Sequence, residues 1–92
     1  MDAMTIYSVS EVTQYIKALL EGDDTLAAVF VSGELSNLKH HSSGHVYFTL
    51  KDEKSVLRGV MFRPAAAKLG FALSDGMRVI AFGRIGVFPG AG

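Results

Sequence analysis

The regular alternation of apolar and polar residues limits the fold of this chain more than any other feature. Between residues 45 and 51, Val46, Phe48 and Leu50 alternate with polar or amphipathic residues. A strand with one buried face has this period of two, whereas a helix repeats every 3.6 residues. The segment therefore predicts a half-buried β-strand. Its outward side chains are His45, Tyr47, Thr49 and Lys51.

Three further segments alternate in the same way, over residues 26–36, 56–63 and 77–88. The polar turn at 52–55 is short, so the third strand should pair antiparallel with the second. In the third strand we place alternate residues toward the core, namely Leu57, Gly59 and Met61. Residues 37–44 are polar, basic and rich in turn formers, and they predict a loop between the first two strands.

Two helical segments accompany the strands. Ser8 and Glu11 form a capping-box pattern at the start of a helix over residues 8–22, whose apolar residues recur at helical spacing. Gly22 is typical of the end of such a helix. Pro64 and the alanines after it predict a short helix between the third and fourth strands.

This order of elements is that of an oligonucleotide/oligosaccharide-binding (OB) barrel. We therefore predict a mainly β OB-fold, a five-stranded Greek-key barrel with an N-terminal amphipathic α-helix and a short helix between strands 3 and 4. The last barrel strand is expected to be missing from this chain. The expected organisation is a flexible N-terminus over 1–7 and one domain over 8–92, with the helix at 8–22 and a truncated barrel at 26–92. A simple antiparallel α+β meander shares much of this order and stays open as an alternative.

Charge is unevenly distributed, although the formal net charge is zero. Residues 1–38 contain one basic and six acidic residues, and residues 39–92 contain eight basic and three acidic ones. Such asymmetry indicates an anionic partner for the basic part, or charges that merely solvate two faces. The chain has no cysteine, which excludes disulfides, thiolate zinc sites and cysteine nucleophiles. Its apolar runs are far shorter than the roughly 20 residues of a membrane span, so we expect a soluble, intracellular domain without a membrane partner.

An OB barrel binds its ligand over strands 2 and 3 and the adjoining loops. Single-stranded nucleic acid requires flat rings for base stacking and cations along its backbone. The candidate contacts lie on the first loop, on the outward faces of the strands and after the fourth strand. They are Asn37, Lys39, His40, His41, Ser42, Ser43, His45, Tyr47, Thr49, Lys51, Arg58, Phe62, Arg63, Arg84 and Phe88. We expect the cations to contact phosphates, the aromatic rings to stack on bases, and the histidines to form hydrogen bonds.

These residues are also compatible with other roles. Tyr47 and Phe62 could equally pack under a neighbouring domain. The three histidines lie across a loop and a strand start without a second set of ligands, so a zinc site is disfavoured. No Ser/His/Asp set and no paired carboxylates occur in a recognisable arrangement, so we assign no catalytic residue and no cofactor.

The longest specific block is Ser-Gly-His-Val-Tyr-Phe-Thr-Leu-Lys-Asp, over residues 43–52. Shorter blocks lie at residues 7–11, 31–37, 60–63 and 75–77. Together they resemble the start of the bacterial exodeoxyribonuclease VII large-subunit family, along nearly the whole chain.

The resemblance implies an N-terminal OB-fold domain that binds single-stranded DNA and presents it to a downstream nuclease domain. Family members degrade single-stranded DNA from both ends to oligonucleotides, together with a small subunit, in the bacterial cytoplasm. Catalytic and subunit-binding regions would lie beyond residue 92, and the sequence does not give the metal requirement of that nuclease domain. An unpaired edge on strand 1 or strand 4 would favour self-association. The alternative function is a protein-interaction module whose sheet face docks on other domains or the small subunit.

Overall fold

A computed structural model describes residues 4–87. The elements are α1 (Val9–Glu21), α2 (Asp24–Ala27), β1 (Val29–His40), β2 (Val46–Lys51), β3 (Val56–Met61), α3 (Arg63–Ala67) and β4 (Arg78–Gly83). The strands form one sheet in the order β3-β2-β1-β4, in which β2 runs antiparallel to both β1 and β3. This mainly β arrangement, with an N-terminal helix and a short helix before β4, confirms the predicted fold class.

The helix α1 begins at a capping box, as predicted. The Ser8 hydroxyl accepts a hydrogen bond from the Glu11 N–H at 3.0 Å, and the Glu11 carboxylate accepts one from the Ser8 N–H at 3.1 Å. The Asp23 carboxylate accepts the Leu26 N–H at 3.0 Å and caps α2. Because residues 24–27 are helical, the predicted strand start at residue 26 is wrong.

The strand β1 is longer than predicted. It continues to His40, so Asn37, Lys39 and His40 lie in the strand and not in a loop. The polar composition of this stretch suggested a loop, yet exposed strand positions accept polar side chains equally well. The connection to β2 is thereby reduced to a tight hairpin over residues 41–45.

A β-bulge allows β1 to extend in this way. The register against β2 shifts after Ser36, where Asn37 and Leu38 together stand opposite Phe48. Asn37 adopts a φ of 52°, in the left-handed region that asparagine tolerates better than most residues. The Leu38 N–H donates to the Asp75 carboxylate at 3.0 Å, outside the strand ladder. A hydrogen bond to a residue distant in the sequence therefore stabilises the bulge.

The core lies on one face of the central strands. Three hydrophobic side chains among the described residues are buried: Leu35, Val46 and Leu50. In β3, Leu57, Gly59 and Met61 each stand opposite a core-facing residue of β2. This register confirms the predicted phase of β3, because opposite residues of antiparallel strands share a face.

The described residues form two compact units, one of residues 31–81 and one of residues 4–30 with 82–87. In the second unit, the rings of Phe30 and Phe82 lie 4.7 Å apart, and both are largely exposed. In the same unit α1 contains no buried residue.

The fourth strand is shorter than predicted. β4 ends at Gly83, and residues 84–87 continue without regular structure, so the prediction of a strand over 84–87 is wrong. Phe88 lies outside the described residues. No helix within residues 4–87 combines the length and apolar character that crossing a membrane requires.

Candidate nucleic-acid interface

The strands β2 and β3 carry polar and aromatic side chains on the face opposite to the core. Tyr47 stands across from Val60, and Thr49 across from Arg58. Tyr47 and Arg58 therefore lie on the same side of the sheet. We name this surface the outer face. Among the residues that are paired between β1, β2 and β3 it comprises Glu34, Ser36, Lys39, Tyr47, Thr49, Lys51, Val56, Arg58 and Val60.

Two half-exposed aromatic rings accompany the cations. Tyr47 is 45% exposed, and Phe62, which directly follows β3, is 50% exposed. Strand alternation places Phe62 on the side of Val60, since Met61 between them faces the core. Rings that remain accessible beside cations are what base stacking requires.

Positive charge predominates around this surface. The unit of residues 31–81 contains seven lysines and arginines and four acidic residues. On the outer face, Lys39 stands opposite Tyr47. The Lys51 ammonium lies 3.7 Å from the Glu34 carboxylate, and both side chains are solvent-exposed. Such exposed ion pairs are weak, so Lys51 can exchange this carboxylate for a phosphate.

The hairpin over residues 41–45 borders one end of the outer face. The Gly44 N–H donates to the His41 carbonyl, and the His41 N–H donates to the His45 carbonyl, both at 2.9 Å. Ser42 and Ser43 are exposed in this turn. Gly44 has a φ of 94°, and the aliphatic part of Arg63 lies directly against it.

Two histidines of the hairpin contact the aromatic rings. The rings of His41 and Tyr47 lie 6.1 Å apart at 77°, and those of His45 and Phe62 lie 5.5 Å apart at 90°. The Nδ1 atom of His45 accepts the Arg63 N–H at 2.8 Å. His45 is thus attached both to the ring of Phe62 and to the chain that follows it.

The structure does not bring all predicted contacts to one surface. His40 stands opposite Val46 and so shares the core face. His40 and Arg63 instead line a cleft of about 380 Å³, together with Phe71 and with Ala66 and Ala67 of α3. Arg84 belongs to the other compact unit, where its guanidinium lies 3.8 Å from the Glu21 carboxylate. Phe88 lies outside the described residues.

Sequence reasoning missed two polar residues of the outer face, Glu34 and Ser36, which stand opposite Lys51 and Thr49. Their signal was available, because both occupy the outward phase of the first strand. Asp75 belongs to the block at residues 75–77, but no local pattern indicated its hydrogen bond to the bulge, which joins residues 37 positions apart.

Asp52, directly after β2, has a structural role. The Asp52 carboxylate accepts the N–H groups of Lys54 and Ser55, both at 2.9 Å. These hydrogen bonds lower the pKa of Asp52 below its ordinary value. They shape the turn between β2 and β3. Within residues 4–87, no three His, Asp or Glu side chains are grouped as metal ligands.

The fold and this surface define a nucleic-acid-binding module. Over residues 7–92 the chain matches the family described as the OB-fold nucleic acid binding domain, and it belongs to that family.

The chain is also similar to several proteins named exodeoxyribonuclease 7 large subunit. It is 53% identical over 85 residues to that of Listeria monocytogenes, 52% to that of Clostridium beijerinckii and 55% to that of Natranaerobius thermophilus. These alignments cover 92% of this chain and 19%, 21% and 20% of the respective relatives. The chain thus spans about a fifth of the length of the curated relatives it matches. These identities confirm the family resemblance of the sequence blocks.

Proposed function

We propose that this chain binds single-stranded DNA on its outer face and presents it to the nuclease domain of a longer exodeoxyribonuclease VII large subunit. The observation that carries the proposal is the register of β2 and β3, which places Tyr47, Lys51 and Arg58 on one face. Membership of an OB-fold nucleic acid binding family supports the same conclusion. We assign the degradation of single-stranded DNA from both ends to regions of the full-length protein outside this chain.

Each group on the outer face has a definite task in this proposal. Tyr47 and Phe62 stack on bases, and each stacked base contributes about 1–3 kcal/mol. Lys39, Lys51 and Arg58 neutralise phosphates, while Thr49 and Ser36 offer hydroxyl groups between them. Stacking and phosphate contact read no base edges, so the binding should tolerate any sequence. The exposed Ser42 and Ser43 border the path of the DNA at the hairpin.

We extend the proposal to the partners and the location of the full-length protein. The words "large subunit" in the names of the relatives support a multi-subunit enzyme. The family resemblance supports a location in the bacterial cytoplasm. We assign contact with its small subunit to regions outside this chain.

Self-association through a sheet edge is a second expected property of the chain. In the sheet of the described residues β3 and β4 occupy the edges, so of the two predicted alternatives, strand 1 or strand 4, the edge lies on strand 4. An edge strand offers unpaired N–H and C=O groups to a second copy. Sedimentation of the chain at roughly tens of micromolar, a range suited to weak edge pairing, should reveal oligomers. A purely monomeric profile would contradict this expectation.

Titration with a short fluorescent oligothymidylate at two salt concentrations tests the main proposal. We expect binding that weakens steeply with salt, because phosphate contacts release counterions. The double variant Tyr47→Ala/Arg58→Ala should abolish most of this binding while its circular dichroism stays that of the parent chain. Absence of binding at low salt would overturn the proposal. It would favour the alternative of a protein-interaction module whose sheet face docks on other domains or the small subunit.

A further inference from the structure

Two histidine–aromatic pairs in the unit of residues 31–81 have the same kind of geometry. His41 meets Tyr47 at 77°, and His45 meets Phe62 at 90°, so both are edge-to-face arrangements. Both partners are half-exposed rings to which the proposed function gives base stacking. Edge-to-face aromatic contacts have preferred geometries that fix the orientation of one ring against the other.

Each of these histidines is itself fixed through Nδ1. The Nδ1 atom of His41 accepts the Ser43 N–H at 3.1 Å and lies 2.8 Å from the Ser43 hydroxyl. The Nδ1 atom of His45 accepts the Arg63 N–H at 2.8 Å. A nitrogen that accepts such a bond carries no proton, so each neutral ring carries its proton on Nε2. Neither ring can rotate without losing its hydrogen bond.

We infer that His41 and His45 are positioning residues that hold the rings of Tyr47 and Phe62 in the orientation that stacks on the bases of single-stranded DNA. This inference rests on the proposed function. A free surface ring loses rotamer freedom when a base immobilises it, and this loss weakens binding. A ring that is already held by a fixed neighbour loses less, so the histidines raise affinity without touching the DNA.

The third histidine provides a matched control. His40 stands opposite Val46 on the core face and is exposed, one residue before His41. The replacement of any of the three histidines by alanine removes the same group, but only His41 and His45 contact the proposed stacking rings. We therefore expect His41→Ala and His45→Ala each to weaken oligothymidylate binding by about threefold to tenfold, the size of a lost pairwise coupling. His40→Ala should leave the affinity unchanged.

A double-mutant cycle separates positioning from direct contact with DNA. If His45 acts only through Phe62, His45→Ala should weaken binding in the parent chain but not in the Phe62→Ala background. The same holds for His41→Ala in the Tyr47→Ala background. Equal losses in both backgrounds would overturn the inference, because they would indicate that the histidines contact DNA themselves.

Two variants of His45 test whether weaker binding is caused by loss of the ring contact or by unfolding of the chain. His45→Asn keeps an oxygen near the position of Nδ1 to accept the Arg63 N–H but removes the aromatic ring. It should fold with a parent-like melting curve and still bind more weakly. His45→Phe keeps a ring against Phe62 and should regain part of the affinity. Unchanged affinity of a folded His45→Asn variant would overturn the inference.

The outcomes distinguish this inference from the function on which it rests. If Tyr47→Ala and Phe62→Ala leave the affinity unchanged, the proposed stacking surface itself is refuted. If both weaken binding while His41→Ala and His45→Ala do not, only the positioning role fails.

Discussion

The carboxylate of Asp75 accepts a hydrogen bond from the backbone N–H of Leu38 at 3.0 Å, although 37 positions separate the two residues. Two backbone bonds of 2.8 Å lie beside it, from the Leu35 N–H to the Met77 carbonyl and from the Gly76 N–H to the Leu35 carbonyl. The turn before β4 thus fixes the bulge of β1. The bulge in turn sets the register that places Lys39 opposite Tyr47 on the outer face.

We expect Asp75→Ala to lower the free energy of unfolding by about 1 kcal/mol, since it removes the acceptor of the Leu38 N–H. Urea denaturation measures this change. Asp75→Asn retains a side-chain oxygen and should retain most of the stability. Equal stability of the parent chain and Asp75→Ala would show that the bulge does not depend on this bond.

The ring of Phe48 lies so close to Gly59 that a Cβ atom at residue 59 would overlap its carbons. Because the interior adapts poorly to added volume, Gly59→Ala should destabilise the fold by about 1–3 kcal/mol. At Gly70 a Cβ would meet no atom within 4 Å, so Gly70→Ala serves as control. Thermal denaturation should separate the two variants clearly. Similar melting temperatures would contradict the packing of Phe48 against β3.

The free energy of unfolding should depend on pH through Asp52, which lies in the turn between β2 and β3. Hydrogen bonds from Lys54 and Ser55 lower the pKa of Asp52 in the folded state below the ordinary 3.8. The stabilisation is therefore fully present above pH 3.8 and is lost as the pH falls through the folded-state value. Unfolding measured from pH 5 to about pH 2 should show this loss. Asp52→Asn should reduce the pH dependence, whereas Glu53→Gln in the same turn should leave the contribution of Asp52 intact.

Tyr47→Ala should weaken oligothymidylate binding by about 1–3 kcal/mol, because one base loses its stacking partner. Tyr15→Ala is the matched control, since Tyr15 is also exposed but lies on α1 in the other unit. Fluorescence titration at constant salt measures both affinities. Equal losses in the two variants would show that the outer face has no special role.

Arg58→Ala should reduce the salt dependence of binding. Each phosphate contact on a single strand contributes about 0.7 to the slope of log K against log salt. We therefore expect the slope to fall by about this amount. Lys17→Ala on α1 removes a cation of the other unit and should leave the slope unchanged. An unchanged slope for Arg58→Ala would place the phosphates elsewhere.

Features that depend on neighbouring residues were predictable from the sequence. The capping box of Ser8 and Glu11 follows from a spacing of three residues, and the structure has it. The phase of β3 was also predicted correctly, because alternation within a strand fixes which side chains share a face. The end of β1 was not predictable in this way. It depends on the bulge at Asn37 and on the distant Asp75.

The candidate site likewise has features that local sequence patterns predicted and features that they did not. Alternation alone placed Tyr47 and Arg58 on one face. The separate position of His40 was missed, because residues 37–44 were predicted as a loop, whereas β1 continues through the bulge to His40. The hydrogen bond from the Arg63 N–H to His45 joins residues 18 positions apart, and no local sequence pattern indicates such a bond.

Chemical-shift mapping of the labelled chain with a short oligothymidylate tests the central claim most directly. We predict that the amide signals of Tyr47, Thr49 and Arg58 move on titration, and that those of α1 stay in place. Shifts confined to α1, with the strands unaffected, would contradict the assignment of the outer face as the DNA-binding surface.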